Sequence, residues 1–177
     1  MTLEIILPIV LVIGLVTTFI ILAKKKKNVN ENAYPLDIPE KDMIKYTPTS
    51  ETLTGFNKEM FDLVNTHRVE IGLNILKSDR VCRDIAYEHV RYMISQGKPS
   101  HDFAMKRRYE LYRRGATGWG ENVAYAYTTS EGMFLAYLSS EGHKEVIETE
   151  RFTHIGVETL KDNNGKNYNA LIFAEFI

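Results

Sequence analysis

The C-terminal stretch constrains the fold more than any other part of the chain. Between Asn167 and Ile177, Ala170, Ile172, Ala174 and Phe176 fall on one side of an extended backbone, and Leu171, Phe173 and Ile177 on the other. A strand with two apolar sides has to be covered on both, so it is expected between helical layers rather than with one wet face. The segment before it, Thr153 to Leu160, is its natural hairpin partner across the turn Asp162-Asn163-Asn164-Gly165.

Helices to cover that sheet are legible upstream. Phe56, Met60, Phe61, Val64 and Ile71 recur at helical spacing with polar residues between them, and Gly72 ends the run. A second helix is expected from a cap at Ser78 or Asp79. Its stripe is Val81, Cys82, Ile85, Ala86, Val90, Met93 and Ile94, and Gly97 and Pro99 stop it. Asp102 to Gly115 carries Lys106, Arg107, Arg108, Arg113 and Arg114, which reads as a solvated helical face. Gly120-Glu121-Asn122 reads as a turn leading into a short strand, Val123 to Tyr127, and a further helix opens at Ser130-Glu131.

The N-terminus has a different character. No charged side chain occurs from Ile5 to Ala23, which is about the length a helix needs to cross bilayer hydrocarbon. Residues 1–27 are therefore expected to be a single membrane-spanning anchor that stops at Lys24-Lys25-Lys26-Lys27, where ammonium groups meet anionic headgroups. A cleaved signal peptide is the competing reading. Against it, no basic residue precedes the run, and the run exceeds the usual signal core. Residues 28–52 hold three of the five prolines and little apolar periodicity, as in a flexible tether spanning roughly 25 to 30 Å. Residues 53–177 form the folded domain. The lysine run argues for a cytoplasmic domain.

Charge and cysteine content remove some functions. A formal net charge of −1 lacks the basic field that nucleic-acid phosphates require, so no nucleic-acid partner is expected. The one cysteine, Cys82, falls on an apolar helix stripe and reads as a buried, inert thiol.

The chemistry-bearing residues cluster between His101 and His143. His101 follows the second helix immediately, on a loop. Glu121 lies in the Gly-Glu-Asn segment, and Ser140 precedes Gly142-His143. His67, His89 and His154 show no partner in sequence and read as surface or half-buried imidazoles. Two neutral imidazoles are able to hold a zinc-like ion, with a carboxylate orienting one of them or taking a proton. A nucleophilic alternative uses Ser140, His143 and Glu121. In a third reading, Glu121 and His143 hydrogen-bond to each other and only fix the fold.

The order of these pieces resembles a known family. It runs Asn65-x-x-Arg68, Gly72-Leu73, Ala86 with His89, Ser100-His101, Gly120-Glu121-Asn122, Ser140-x-Gly142-His143, Phe152-Thr153-x-Ile155-Gly156-Val157, and a final strand from Tyr168 to Phe173. This is similar to the CAP superfamily, the SCP-like group of cysteine-rich secretory proteins, antigen 5 and pathogenesis-related proteins of class one. The resemblance covers residues 53–177. It implies an α+β fold, a three-layer α-β-α sandwich with a large cleft lined by two histidines and two acids, where some members hold a divalent metal.

Residue by residue, the resemblance makes His101 the first cleft histidine, Glu121 the acid, and His143 the second histidine. At the fourth position this chain has Tyr137-Leu138-Ser139-Ser140, which is similar to the short bacterial form with serine in place of the second acid. Glu141 is adjacent but off the motif. The metal candidates are thus His101 and His143, with Glu121 beside them. The function expected is that of a membrane-tethered, non-catalytic binding module for a small ligand, lipid or peptide, with a divalent metal such as zinc as a candidate cofactor. A metal-assisted hydrolase or protease and an interaction scaffold with a vestigial cleft are the alternatives. The family resemblance implies an extracytoplasmic domain, opposite to the lysine run.

Overall fold

The computed structural model describes residues 53–177. The expected membrane anchor, lysine boundary and tether lie outside the described residues. Among the described residues, no helix is long and apolar enough to cross a membrane.

The chain is α+β, with five helices and four strands in this part. They run α1 (Gly55–Glu70), β1 (Lys77–Ser78), α2 (Arg80–Gln96), α3 (Ala104–Arg113), β2 (Ala116–Tyr125), α4 (Ser130–Ser139), α5 (Glu141–Ile147), β3 (His154–Lys161) and β4 (Asn167–Phe176). The sheet order is β1-β3-β4-β2. The β3–β4 hairpin is its centre, and β2 pairs antiparallel with β4 at one edge.

Alternation along β4 divides the core in two, as its two apolar sides require. Leu171 and Phe173 face a cluster with Met60 and Val64 of α1, Met133 and Tyr137 of α4, and Ile147 of α5. Ala170, Ile172 and Ala174 face the other cluster, with Cys82, Ile85, Ala86 and Met93 of α2 and Leu111 of α3. Ile177 departs from the pattern: it lies beyond the last strand pair and is exposed.

Local chemistry fixes the helix ends. The Asp79 carboxylate accepts from the Cys82 amide at 2.8 Å, and Gly97 at φ 68° closes α2 in the left-handed conformation. After α1, the Leu73 amide reaches back to the Arg68 carbonyl at 2.8 Å, and the Asn65 side chain bonds both the amide and the carbonyl of Leu76. Asn65 thereby holds the approach to β1 against the helix. At Gly156 of β3, α2 comes down onto bare backbone. A Cβ there would lie 2.1 Å from the carbonyl carbon of Cys82.

The assignment of two elements changes. Gly120-Glu121-Asn122 is the interior of a ten-residue strand, not a turn, because each residue is paired with β4: Gly120 with Phe173, Glu121 with Ile172, Asn122 with Leu171. Helix α5, with His143 inside it, is an element the sequence pattern did not separate from α4.

Candidate functional site

Period-two geometry decides which way the Gly-Glu-Asn segment points. Glu121 shares its side of β2 with Val123 and faces α2 and α3, whereas Asn122 shares the Leu171 side and faces α4 and α5. The candidate residues therefore approach edge strand β2 from two layers.

On the α2/α3 side, Glu121 is nearly sealed from solvent and both carboxylate oxygens are engaged. Arg107 Nε donates to Oε2 at 2.5 Å and Nη2 donates to Oε1 at 2.7 Å, a two-pronged ion pair. His101 Nδ1 lies 2.7 Å from Oε1. A carboxylate only accepts, so the proton of this bond sits on Nδ1 and a neutral His101 carries its lone pair on Nε2. His89 Nε2 is 3.9 Å from the same oxygen and donates to the Ser100 carbonyl at 2.8 Å.

Burial pushes the Glu121 carboxyl up, but the hydrogen bond from His101 and the Arg107 charge outweigh it and draw the group down to about 2. A carboxylate so stabilised has little tendency to take a proton at neutral pH. Its role in this geometry is to orient His101. Burial and the nearby Arg107 charge outweigh Glu121 and lower His89 to about 4, so it is neutral at physiological pH.

On the α4/α5 side, the Asn122 side-chain amide donates to the His143 carbonyl at 2.9 Å. The His143 ring packs edge-on against Tyr137, with centroids 5.2 Å apart. Tyr137 is itself tied to Asn169 by a 2.7 Å hydrogen bond from its hydroxyl. Both ring nitrogens of His143 and the Asn122 side-chain oxygen are buried without a hydrogen-bond partner among the described residues. Burial, with His101 adding to it, lowers His143 to about 4. Ser140 caps the junction of α4 and α5, where its carbonyl accepts from the Lys144 amide at 2.9 Å.

The structure thus joins His101 to Glu121 directly, and it brings His143 in from the opposite layer with no hydrogen bond to either. The hydrogen bonds of Glu121 go to His101 and Arg107, so the carboxylate orients His101 rather than His143. Among the described residues, no group of three or more His, Cys, Asp or Glu side chains is placed to hold a metal ion. The two imidazoles do suit a metal in their chemistry: His101 has Nε2 open, and His143 has two unpartnered nitrogens.

Two site residues escaped the sequence reading. His89 falls between Ile85-Ala86 and Val90-Met93 on the α2 stripe, and that spacing signals burial. Arg107 precedes Leu111 by one helical turn, yet the charges around it made the whole segment read as solvated. Arg107 is only 4% exposed, because the buried carboxylate of Glu121 compensates its charge.

A family model described as CAP, the cysteine-rich secretory protein family, matches residues 61–174. The chain belongs to that family. Among relatives of this CAP chain, the uncharacterized membrane protein YlbC of Bacillus subtilis is 32% identical over 108 residues, covering 59% of this chain and 31% of that protein. The chain spans less than half the length of the curated relatives it matches. Among solved structures, an extracellular SCP-domain protein of Bacillus anthracis superposes with a TM-score of 0.60 at 27% identity, covering 71% of this chain and 45% of that one. An outer surface protein of Borrelia burgdorferi gives 0.64 at 20% identity, covering 69% and 93%, and this likeness shows the CAP fold alone.

Proposed function

We propose that this chain is a membrane-tethered CAP-domain binding module, non-catalytic, whose cleft takes a small ligand, lipid or peptide through His101 and His143. The observation that carries the reading is the pair of nitrogens on buried His143 that have no partner among the described residues. Buried polar atoms are nearly always hydrogen-bonded, so a ring left with neither nitrogen satisfied fits a position completed by a guest. Across β2, His101 offers Nε2 in a tautomer fixed by Glu121.

A divalent cation such as zinc fits this donor set. His101 and His143 would hold it, Glu121 would act behind His101, and the metal would supply a Lewis-acidic anchor for an oxygen or nitrogen of the ligand. With two protein donors, affinity is expected below that of three-ligand sites.

The anchor is supported by the uncharged segment from Ile5 to Ala23, and the extracytoplasmic side by the relatives alone, against the lysine run Lys24 to Lys27. YlbC is named a membrane protein, and the Bacillus anthracis neighbour an extracellular one.

Zinc titration of the full chain in detergent, followed by calorimetry, tests the cleft. Saturable heat that His101→Ala abolishes is the expected result, and heat unchanged by that substitution would remove the metal reading. Protease added to intact expressing cells tests the placement. Cleavage of the domain is expected, and full protection would place it in the cytoplasm.

A further inference from the structure

His101 belongs to no helix or strand, yet the atoms on either side of it are held by buried side chains. The Ser100 carbonyl accepts from His89 Nε2 at 2.8 Å, and the Asp102 carbonyl accepts from Arg107 Nη1 at 2.6 Å. The same two side chains flank the carboxylate beneath the ring: Arg107 through its Nε and Nη2, and His89 at 3.9 Å. Both are nearly solvent-free, at 3% and 4% exposure. Three elements, α2, α3 and β2, thus converge on one loop residue and grip it by two flanking carbonyls and one ring nitrogen.

We propose that His89 and Arg107 are positioning residues for His101, holding its flanking carbonyls and its carboxylate partner so that the ring keeps a single tautomer, with Nε2 left open. The inference deepens the binding reading and takes from it only the use to which Nε2 is put. Each part of the grip has a directional requirement. A backbone carbonyl accepts only, so His89 carries its proton on Nε2. Its Nδ1 is then the bare nitrogen, in agreement with that atom's lack of a partner among the described residues. Arg107 needs the planar fork of a guanidinium, since three of its donor nitrogens reach two acceptor groups in different directions. A lysine ammonium supplies the charge without that spread. Residues hydrogen-bonded behind a metal-ligating histidine typically change its metal affinity by about 10- to 100-fold when removed, and His89 and Arg107 act on His101 through Glu121 and the flanking carbonyls.

The test is imidazole nitrogen NMR on the full chain in detergent micelles, where five histidines give few signals. In the wild type, His101, assigned through His101→Ala, is expected as a single tautomer protonated on Nδ1. H89Q keeps an amide donor for the Ser100 carbonyl and should preserve that pattern. H89L and R107K should each yield averaged or mixed tautomer signals for His101 while the amide spectrum remains dispersed, with zinc affinity about 10- to 100-fold lower. A His101 pattern unchanged in folded R107K or H89L overturns the proposal. Should H89L not fold, R107K set against H89Q decides the question alone. A wild-type chain that shows the fixed tautomer but binds no zinc would count against the metal reading and leave the positioning role standing.

Discussion

Arg107 and Glu121 face each other as a fork against a carboxylate, with contacts of 2.5 and 2.7 Å, deep in the α2/α3 side of the domain. Removing one partner of a buried pair leaves an uncompensated charge, which costs about 3 to 5 kcal/mol. Glu121→Ala should therefore lower the melting temperature strongly, with or without added metal. A variant that melts like the wild type would mean that the pair contributes nothing to stability.

Acid sensitivity follows from His89 and His143, each lowered to about 4 from 6.5, by burial first. Both are neutral in the folded chain, whereas the unfolded chain protonates them below pH 6.5. Their stabilisation is complete above about pH 6.5 and declines as pH falls toward 4, approaching about 1.4 kcal/mol per pH unit for each histidine. Glu121, held near 2 against 4.5, adds a further loss in the same direction, below pH 4.5. Urea unfolding between pH 7 and 4 measures the slope. His143→Phe should reduce it by about one proton, and an unchanged slope would contradict the burial argument.

Arg68 is fully buried and ties α1 to the far end of α5. Its Nη1 donates to the carbonyls of Ile147 and Thr149 at 2.7 and 3.0 Å, and its Nε donates to the Asn74 carbonyl at 2.9 Å. Arg68→Met leaves those carbonyls without their donor. A loss of about 3 kcal/mol is expected in chemical denaturation, near the upper end for hydrogen bonds from a charged donor.

Gly156→Ala places a methyl group against the α2 backbone, where a flexible side chain is not available to yield. Overpacking of this kind costs about 1 to 3 kcal/mol. Thermal denaturation checks it. A neutral result would mean that α2 shifts without penalty.

Much of this architecture was readable in advance, and for physical reasons. The two-sided β4 pattern required helical layers on both faces, and the Asp79 cap and the Gly72 and Gly97 stops bounded α1 and α2. The hairpin turn at Asp162 to Gly165 is likewise as the residues indicated. What the sequence concealed depends on long-range pairing. Gly120 to Asn122 looks like a turn because glycine and asparagine favour turns, but register with Phe173, Ile172 and Leu171 overrides that preference. Arg107 looked solvated because a buried cation shows itself only through its partner, which lies fourteen residues away. The ordered motif that pointed to His101, Glu121 and His143 contains no information on which side of β2 each would occupy.

The bare backbone of Gly156 has a reach beyond its own neighbourhood. With hydrogen as the only spacer between strand and helix, the height of α2 above the sheet is set at that point, and His89, two turns further along, travels with it. The thickness of one carbon atom under Cys82 thus becomes a gauge for how firmly the distant loop histidine is clasped.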